Sequence, residues 1–496
     1  MIIKMDETQP LLADARLLDP VLGNGVPHKD IVGFDVDGDP ENPFEWPKAY
    51  KWVVVSLIAL MSFTVTFTCI AVVPIAGSIA SDLDDGHVSK SSSVLLVTIW
   101  ELGEAVGPFF IAPLSEAFGR YPVINAANLL FVLSTALAAM SQSTTLFIGA
   151  RALTGLSVAS NVLGPAIVGD MFISEERGSA ISFIALAPLA GGSVGPAIAG
   201  VIAEKMGWRR VIWLTATVAL TCEILLLTCF RETYKVAILR RKAARLRKET
   251  GNQMLKTIFD TDHRKSSLRK IWEGAARPAS VLAGSGVLQV LSLYGAVMFS
   301  YYYIWSTTFP DVLRKSYNLS PASAGLAFIW FSVGSAISLL FMNVLLDKIY
   351  VKLRNRHQGA GAPEFRLPLA IVGSFVMPFS VVAYGWASQL HPPLPVLLAI
   401  TAFIGTSLLP VLLPLHAYVV DAFGLYAASG MTAVIVMRCL MSTLLPLAAD
   451  PLVRKFDWGV GMSIMGGIGL LLTPIPILVF RYGSRWRQLS HYTKDE

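Results

Sequence analysis

Charge is scarce in this chain. Only 15% of its 496 residues are Asp, Glu, Lys or Arg while 54% are hydrophobic, and a mean hydropathy of +0.58 nearly excludes a water-soluble fold. Cysteine is scarcer still. All four (Cys69, Cys222, Cys229 and Cys439) fall inside apolar stretches, so no disulfide framework is implied. Gly-rich phosphate loops, metal-ligand clusters and nucleophile triads are missing as spaced motifs, which argues against ATP hydrolysis and covalent catalysis. No cofactor, bound metal or nucleic-acid partner is expected. The first fifty residues are polar, acidic and rich in Gly and Pro, without the apolar core of a signal peptide.

What the chain has in abundance is apolar runs long enough to cross about 30 Å of hydrocarbon at about 1.5 Å per residue. They fall near 52–80, 92–114, 122–140, 145–168, 178–203 and 211–230, and after a polar gap near 281–309, 322–346, 367–387, 393–420, 426–448 and 459–482. The fold class is therefore all-α and integral to the lipid bilayer. The expected domains are a disordered tail (1–50), a six-helix bundle (51–230), a basic linker loop (231–280), a second six-helix bundle (281–482) and a short tail (483–496). Basic residues concentrate in the linker, in 347–366 and beyond Arg481, which places both termini in the cytoplasm. Lys205, Arg209, Arg210, Arg314, Lys315, Arg454 and Lys455 run against that bias. The run Leu239 to Glu249 predicts a basic amphipathic helix on the cytoplasmic leaflet. Glu7-Thr8-Gln9-Pro10-Leu11-Leu12 reads either as an acidic dileucine signal for vacuolar or endosomal delivery or as an unread tail, which leaves the membrane open between these and the cell surface. Asn318-Leu319-Ser320 is a glycosylation sequon, disfavoured by the Pro321 that follows.

Several motifs interrupt the apolar runs. Pro113-Leu114-Ser115-Glu116-Ala117-Phe118-Gly119-Arg120 predicts a helix end and tight turn pinned at a membrane surface, with Glu116 and Arg120 four residues apart. In the second span Glu101 and Glu104 lie three residues apart on one helical face, at a depth similar to Arg151 in the fourth. That trio reads as a proton switch, in which either acid exchanges protons against Arg151, or as a static ion pair that fixes packing. Arg151 on its own could instead snorkel. In the fifth span Gly191, Gly195 and Gly200 remove bulk and Pro196 deletes a backbone hydrogen bond, predicting a kinked, closely approached helix. Arg438 either lines a cavity as an anion contact or pairs across the bundle. Asn161 and Gln289 are candidate cavity amides. Tyr301, Tyr302, Tyr303 and Trp305 either line a cavity mouth or form an interfacial belt. His416 reads more readily as a packed residue than as a titrating one.

These motifs resemble the major facilitator superfamily. Its loop between helices 2 and 3 carries Gly, two or three variable positions, Asp, a basic residue, one variable position, Gly and Arg. Here Ala112 stands for the first glycine, Glu116 for the aspartate, and Ala117 and Tyr121 for the usual basic positions. Arg151-Ala152-Leu153-Thr154-Gly155 is similar to the family's Arg-x-x-Gln-Gly. Gly191-Gly192-Ser193-Val194-Gly195-Pro196-Ala197-Ile198-Ala199-Gly200 is similar to the helix 5 marker of proton-coupled exporters, departing at Ala199. Asp39-Pro40-Glu41-Asn42-Pro43, Lys248-Glu249-Thr250-Gly251-Asn252 and Pro363-Glu364-Phe365-Arg366-Leu367-Pro368 look like the fungal drug:proton antiporters with twelve transmembrane helices. The resemblance implies two bundles related by a pseudo-two-fold axis along the membrane normal. It implies a monomer that exports drugs, toxins or secondary metabolites against protons by alternating access. In that frame Glu116 and Arg120 become a gate latch. The rivals are a proton-coupled nutrient or polyamine importer on the same fold and, lower, a membrane sensor.

Overall fold

The computed structural model describes residues 31–35, 38–83, 90–257, 259, 267–357 and 361–493. The dileucine-like segment 7–12 lies outside them. The first half comprises α1 (Lys48–Ile70), α2 (Ala76–Leu83), α3 (Lys90–Phe118), α4 (Arg120–Ala139), α5 (Thr144–Leu156), α6 (Ser160–Met171), α7 (Ser174–Met206) and α8 (Trp208–Cys229). Two linker helices follow, α9 (Lys235–Thr250) and α10 (Ser267–Ala283). The second half comprises α11 (Gly286–Tyr317), α12 (Pro321–Arg356), α13 (Pro368–Leu390), α14 (Leu394–Phe423), α15 (Ala427–Leu472) and α16 (Pro474–Arg487).

Twelve crossings emerge from these helices. α1 continues into α2 and α5 into α6, each pair making one crossing. At the other extreme, α15 and α16 follow one another over the 61 residues Ala427–Arg487, roughly 90 Å at the helical rise and too long for one crossing. The stretch is split at Asp457, whose φ of 63° and ψ of 173° break the helix and turn the chain back.

The bundles repeat one packing plan. α1 packs on α7 and α3 on α5 in the first; α11 packs on α15 and α12 on α14 in the second. Small residues set these crossings. A Cβ on Gly103 would overlap the Ala152 carbonyl and one on Gly155 the Trp100 carbonyl; across α12 and α14, Gly334 and Gly405 stand in the same relation to Ala402 and Phe331. The bundles then meet along two seams, α3 with α15 and α7 with α12. A two-fold axis that exchanges the halves exchanges these seams.

From residue 31 on, the segment expected as part of a disordered tail (1–50) is packed against the linker. Ile31–Val32 pairs in parallel with Lys256–Thr257, and Asn42 caps a short 3-10 turn at Pro43–Glu45. Lys242 Nζ lies 2.7 Å from Asp39 and 3.0 Å from Asp35, and Arg245 lies 2.9 Å from Glu41. These α9 cations are thereby committed to protein carboxylates and not to lipid. The reason is complementarity: an acidic strand lies within reach of a basic helix, and Gly251 in the left-handed region ends α9 so that the chain returns beside it.

Candidate functional site

At the end of the molecule that carries the linker, Gly119 separates α3 from α4 with φ 103°, and a Cβ there would collide with the Glu232 carboxylate. Glu232 accepts from the backbone N–H of Arg120 at 2.8 Å, capping α4. The Arg120 guanidinium reaches Asp170 (3.3 Å) and Ser115 Oγ (2.5 Å), and covers the Tyr234 ring at 4.7 Å. Glu116 is exposed and is not Arg120's ion-pair partner, which corrects the expected latch. Helical i, i+4 geometry would have paired them, but the positive φ of Gly119 breaks that register. Pro113 is buried and Leu114 half-buried, and Pro113 meets Gly274 of α10, the linker helix that also touches α15.

The second bundle repeats the arrangement. Arg366 bonds Asp421 at 2.9 Å and Asp347 at 2.8 Å, and covers the Tyr350 ring at 4.2 Å. The same short turn carries Glu364, which pairs with Arg487 at 2.9 Å. Two of the three loop segments that resemble the fungal antiporters, those at Asp39–Pro43 and Pro363–Pro368, thus take part in staples at this end.

Half-way along α3, Glu101 and Glu104 are almost fully buried. Tyr303 of α11 donates its hydroxyl to Glu101 Oε1 at 2.6 Å. Glu104 Oε1 accepts from Asn161 Nδ2 of α6 at 2.8 Å and lies 3.8 Å from the Arg438 guanidinium of α15, which stacks over Phe299 at 4.7 Å. The remaining oxygen of each carboxylate has no hydrogen-bond partner among the described residues. One turn away Thr443 Oγ1 donates to the Thr98 carbonyl at 3.2 Å. Carboxylates of one bundle therefore face a cation and a phenol of the other. The Cys439 thiol joins Glu101 and Glu104 in a group whose ligand atoms lie within 4.8 Å of one another. Such a trio could hold a metal, but Arg438 already supplies the positive charge beside it.

Arg151 is not the acids' partner. Its guanidinium bonds the Cys69 carbonyl at 2.9 Å and the Leu96 carbonyl at 3.3 Å. The helical period gives the reason. Gly103 marks the face of α3 that touches α5, and Glu101 and Glu104 lie roughly 200° and 100° around the helix from it, so both leave the α5 side. Arg438 takes the open alternative of pairing across the bundles. Asn161 joins the site through its bond to Glu104. Gln289 does not; it is exposed and bonds the Leu282 and Ala283 carbonyls at the end of α10.

The aromatic residues divide. Tyr301 turns into the second bundle and bonds the Met465 carbonyl at 2.6 Å. Half-buried Tyr302 packs edge-on to buried Tyr303, and buried Trp305 stacks with half-buried Phe331, so these rings form a wall that adjoins the glutamate site through Tyr303. The α7 motif works as a contact surface on two sides. Gly191 and Gly195 admit the Phe63 and Phe67 carbonyls of α1, while Gly200 admits Pro321, and Gly325 of α12 admits Pro196. Asn318 is exposed with φ 52° and ends α11, while Ser320 Oγ caps α12, so the sequon forms the turn between two long helices. Sequence reading did not connect Tyr303 with Glu101, or Asp170 and Asp421 with the loop arginines. The repeated Arg-before-span and Asp-at-span-end placement was the available signal for the latter.

Opposed charges from two repeated bundles, midway along membrane-length helices, are an arrangement expected of a membrane transport protein. The comparisons agree. The family profile described as Major Facilitator Superfamily matches residues 55–446. The MFS transporter cpaT of Aspergillus oryzae is 34% identical over 469 residues, covering 94% of this chain and 93% of that one. The efflux pump radE of Floropilus chiversii is 33% identical over 488 residues, covering 97% and 89%. Among solved structures, a D-xylose-proton symporter aligns with TM-score 0.65 at 17% identity, covering 86% of this chain and 97% of that one, a likeness of fold. The chain belongs to the major facilitator superfamily and is a multi-pass membrane transporter.

Proposed function

We propose that this protein exports small organic molecules in exchange for protons, with Glu101 and Glu104 as the proton-carrying groups and Arg438 as their counter-charge. The observation that carries the reading is the Glu104–Arg438 pair across the bundle interface, beside the Tyr303–Glu101 bond. With both carboxylates charged, attraction to Arg438 holds α3 to α15. A proton on either acid weakens that attraction and loosens the seam. In this reading the linker end is cytoplasmic, and the Gly200–Pro321 contact and the Ala322 N–H bond to Glu204 (3.0 Å) close the outer end. The aromatic wall suits an amphipathic or neutral organic cargo better than an ion or sugar phosphate. Export is supported further by the relative from Floropilus chiversii, which is named an efflux pump. The helical cap formed by Asn318 and Ser320 argues against use of the sequon.

The test is accumulation of candidate metabolites in cells with and without the protein, at several external pH values, for wild type, Glu101→Gln and Glu104→Gln. Lower accumulation with wild type, and loss of its pH dependence in at least one variant, is expected. Full pH-dependent export in both variants overturns the proton assignment; raised accumulation with wild type overturns the direction.

A further inference from the structure

α12 is 36 residues long, about 54 Å, and so outreaches the hydrocarbon layer by roughly 24 Å. Its last turns extend beyond the apolar stretch at the linker end. There Lys348, Lys352 and Arg356 recur every four residues, all exposed, and none is in an ion pair among the described residues. The contrast with α9 is direct, since Lys242 and Arg245 there are engaged by Asp39 and Glu41. Asp347, the acid adjoining the stripe, is drawn to Arg366 at 2.8 Å.

The same helical face continues upward as apolar surface. Phe341 is 68% exposed and Leu345 42%; with Lys348 and Lys352 they follow i, i+4, i+7 and i+11 spacing, a single stripe of an α-helix. The cations share this open helix surface with Val351, Asn355 and Asp347, whose carboxylate is engaged by Arg366. From this geometry we infer that the linker-end face of α12 is a binding site for an anionic phospholipid. Its phosphate would lie among Lys348, Lys352 and Arg356, and its acyl chains along Phe341 and Leu345. Charge complementarity selects the occupant. Three uncompensated cations stacked directly on a lipid-facing apolar stripe match a molecule that is anionic at one end and hydrocarbon at the other, as neither a soluble anion nor an acidic peptide is. The site needs only a bilayer, whatever the cargo or its direction.

The experiment uses the full chain in nanodiscs of phosphatidylcholine with a minor fraction of phosphatidylserine, followed by mass spectrometry of the lipid retained after detergent extraction. Wild type should retain phosphatidylserine well above its share of the bilayer. At roughly fivefold per cation near a membrane surface, Lys348→Ala/Lys352→Ala/Arg356→Ala should lower that preference on the order of 100-fold. The unfolding midpoint of the variant in pure phosphatidylcholine should match wild type, which separates lost binding from lost folding. A preference unchanged in the triple variant, or none in wild type, overturns the site. So does displacement of the retained lipid by soluble glycerophosphoserine at equal concentration, since the acyl stripe would then contribute nothing.

Discussion

Tyr303 donates a 2.6 Å hydrogen bond to Glu101 from the opposite bundle, and both side chains are buried where α3 crosses the second half. The bond joins the two bodies that must separate in alternating access. A hydrogen bond to a charged group contributes about 1.5–3 kcal/mol. Tyr303→Phe removes it while keeping the ring, so the far end should open more readily. A cysteine placed at position 98 should then react faster with a membrane-impermeant thiol reagent in the Cys-free background. An unchanged rate would mean the bond does not restrain opening.

Arg438 and Arg151 should behave differently when their supposed partners are removed. Arg438→Ala leaves Glu104 as a buried charge without its cation, at about 3–5 kcal/mol. Adding Glu104→Gln removes that charge, and the double variant should recover much of the lost thermal stability. Arg151 bonds carbonyls of α1 and α3, so Arg151→Ala should gain nothing from Glu104→Gln. A double-mutant cycle measures both couplings; equal coupling for the two arginines contradicts the observed geometry.

At the linker end, Asp170→Asn should destabilise about as much as Arg120→Ala, whereas Glu116→Gln should stay within about 0.5 kcal/mol of wild type. Asp421→Asn should mirror Asp170→Asn in the second bundle, because Arg366 stands to Asp421 as Arg120 stands to Asp170. Thermal unfolding in detergent would rank the four. Glu116 ranking with Asp170 would restore the i, i+4 latch.

The clamp between the N-terminal segment and α9 should depend on pH with a defined sign. Burial alone would raise the Asp39 carboxyl, but bonds from Lys242 and from the Glu41 and Asp35 backbone N–H groups outweigh it and hold it below its ordinary 3.8. A depressed carboxylate contributes stability that is complete above its unfolded value and is lost as pH falls through the folded one. Lys242 is held above its ordinary 10.5 although burial opposes this, because it bonds Asp39 and Asp35. Its contribution is complete below 10.5 and is lost as pH rises through the folded value. Limited proteolysis of residues 31–47 should therefore be slow across the neutral range and accelerate below about pH 4. Asp39→Asn should be cleaved readily at neutral pH, and protection equal to wild type there would show that the clamp does not rest on this pair.

Much of the fold was legible because hydrocarbon imposes a length on every crossing. The runs that became α4, α8 and α13 were placed within a few residues from apolarity alone. Helix ends were less legible: α12 continues ten residues past the predicted Leu346, since a helix does not stop where the lipid does. Glu101, Glu104, Arg438 and Asn161 could be picked out because a polar group inside a long apolar run is costly and therefore conspicuous. Gln289 was misplaced because an amide at the start of a span is just as conspicuous when it only caps a neighbouring helix.

Pairing was a different matter. The sequence by itself determined that the chain crosses the membrane about twelve times, that α3 carries two acids on one face, and that glycines mark the helix surfaces that can touch. Those properties follow from transfer energetics and helical period, which are local. Only the tertiary structure decided that Glu104 faces Arg438, that Arg151 spends its donors on backbone carbonyls, and that Arg120 reaches Asp170 past Glu116. The physical reason is rotation: which face of α3 meets α5 and which meets α15 depends on glycine contacts with distant helices, and one positive φ at Gly119 suffices to undo a spacing that looks like a pair.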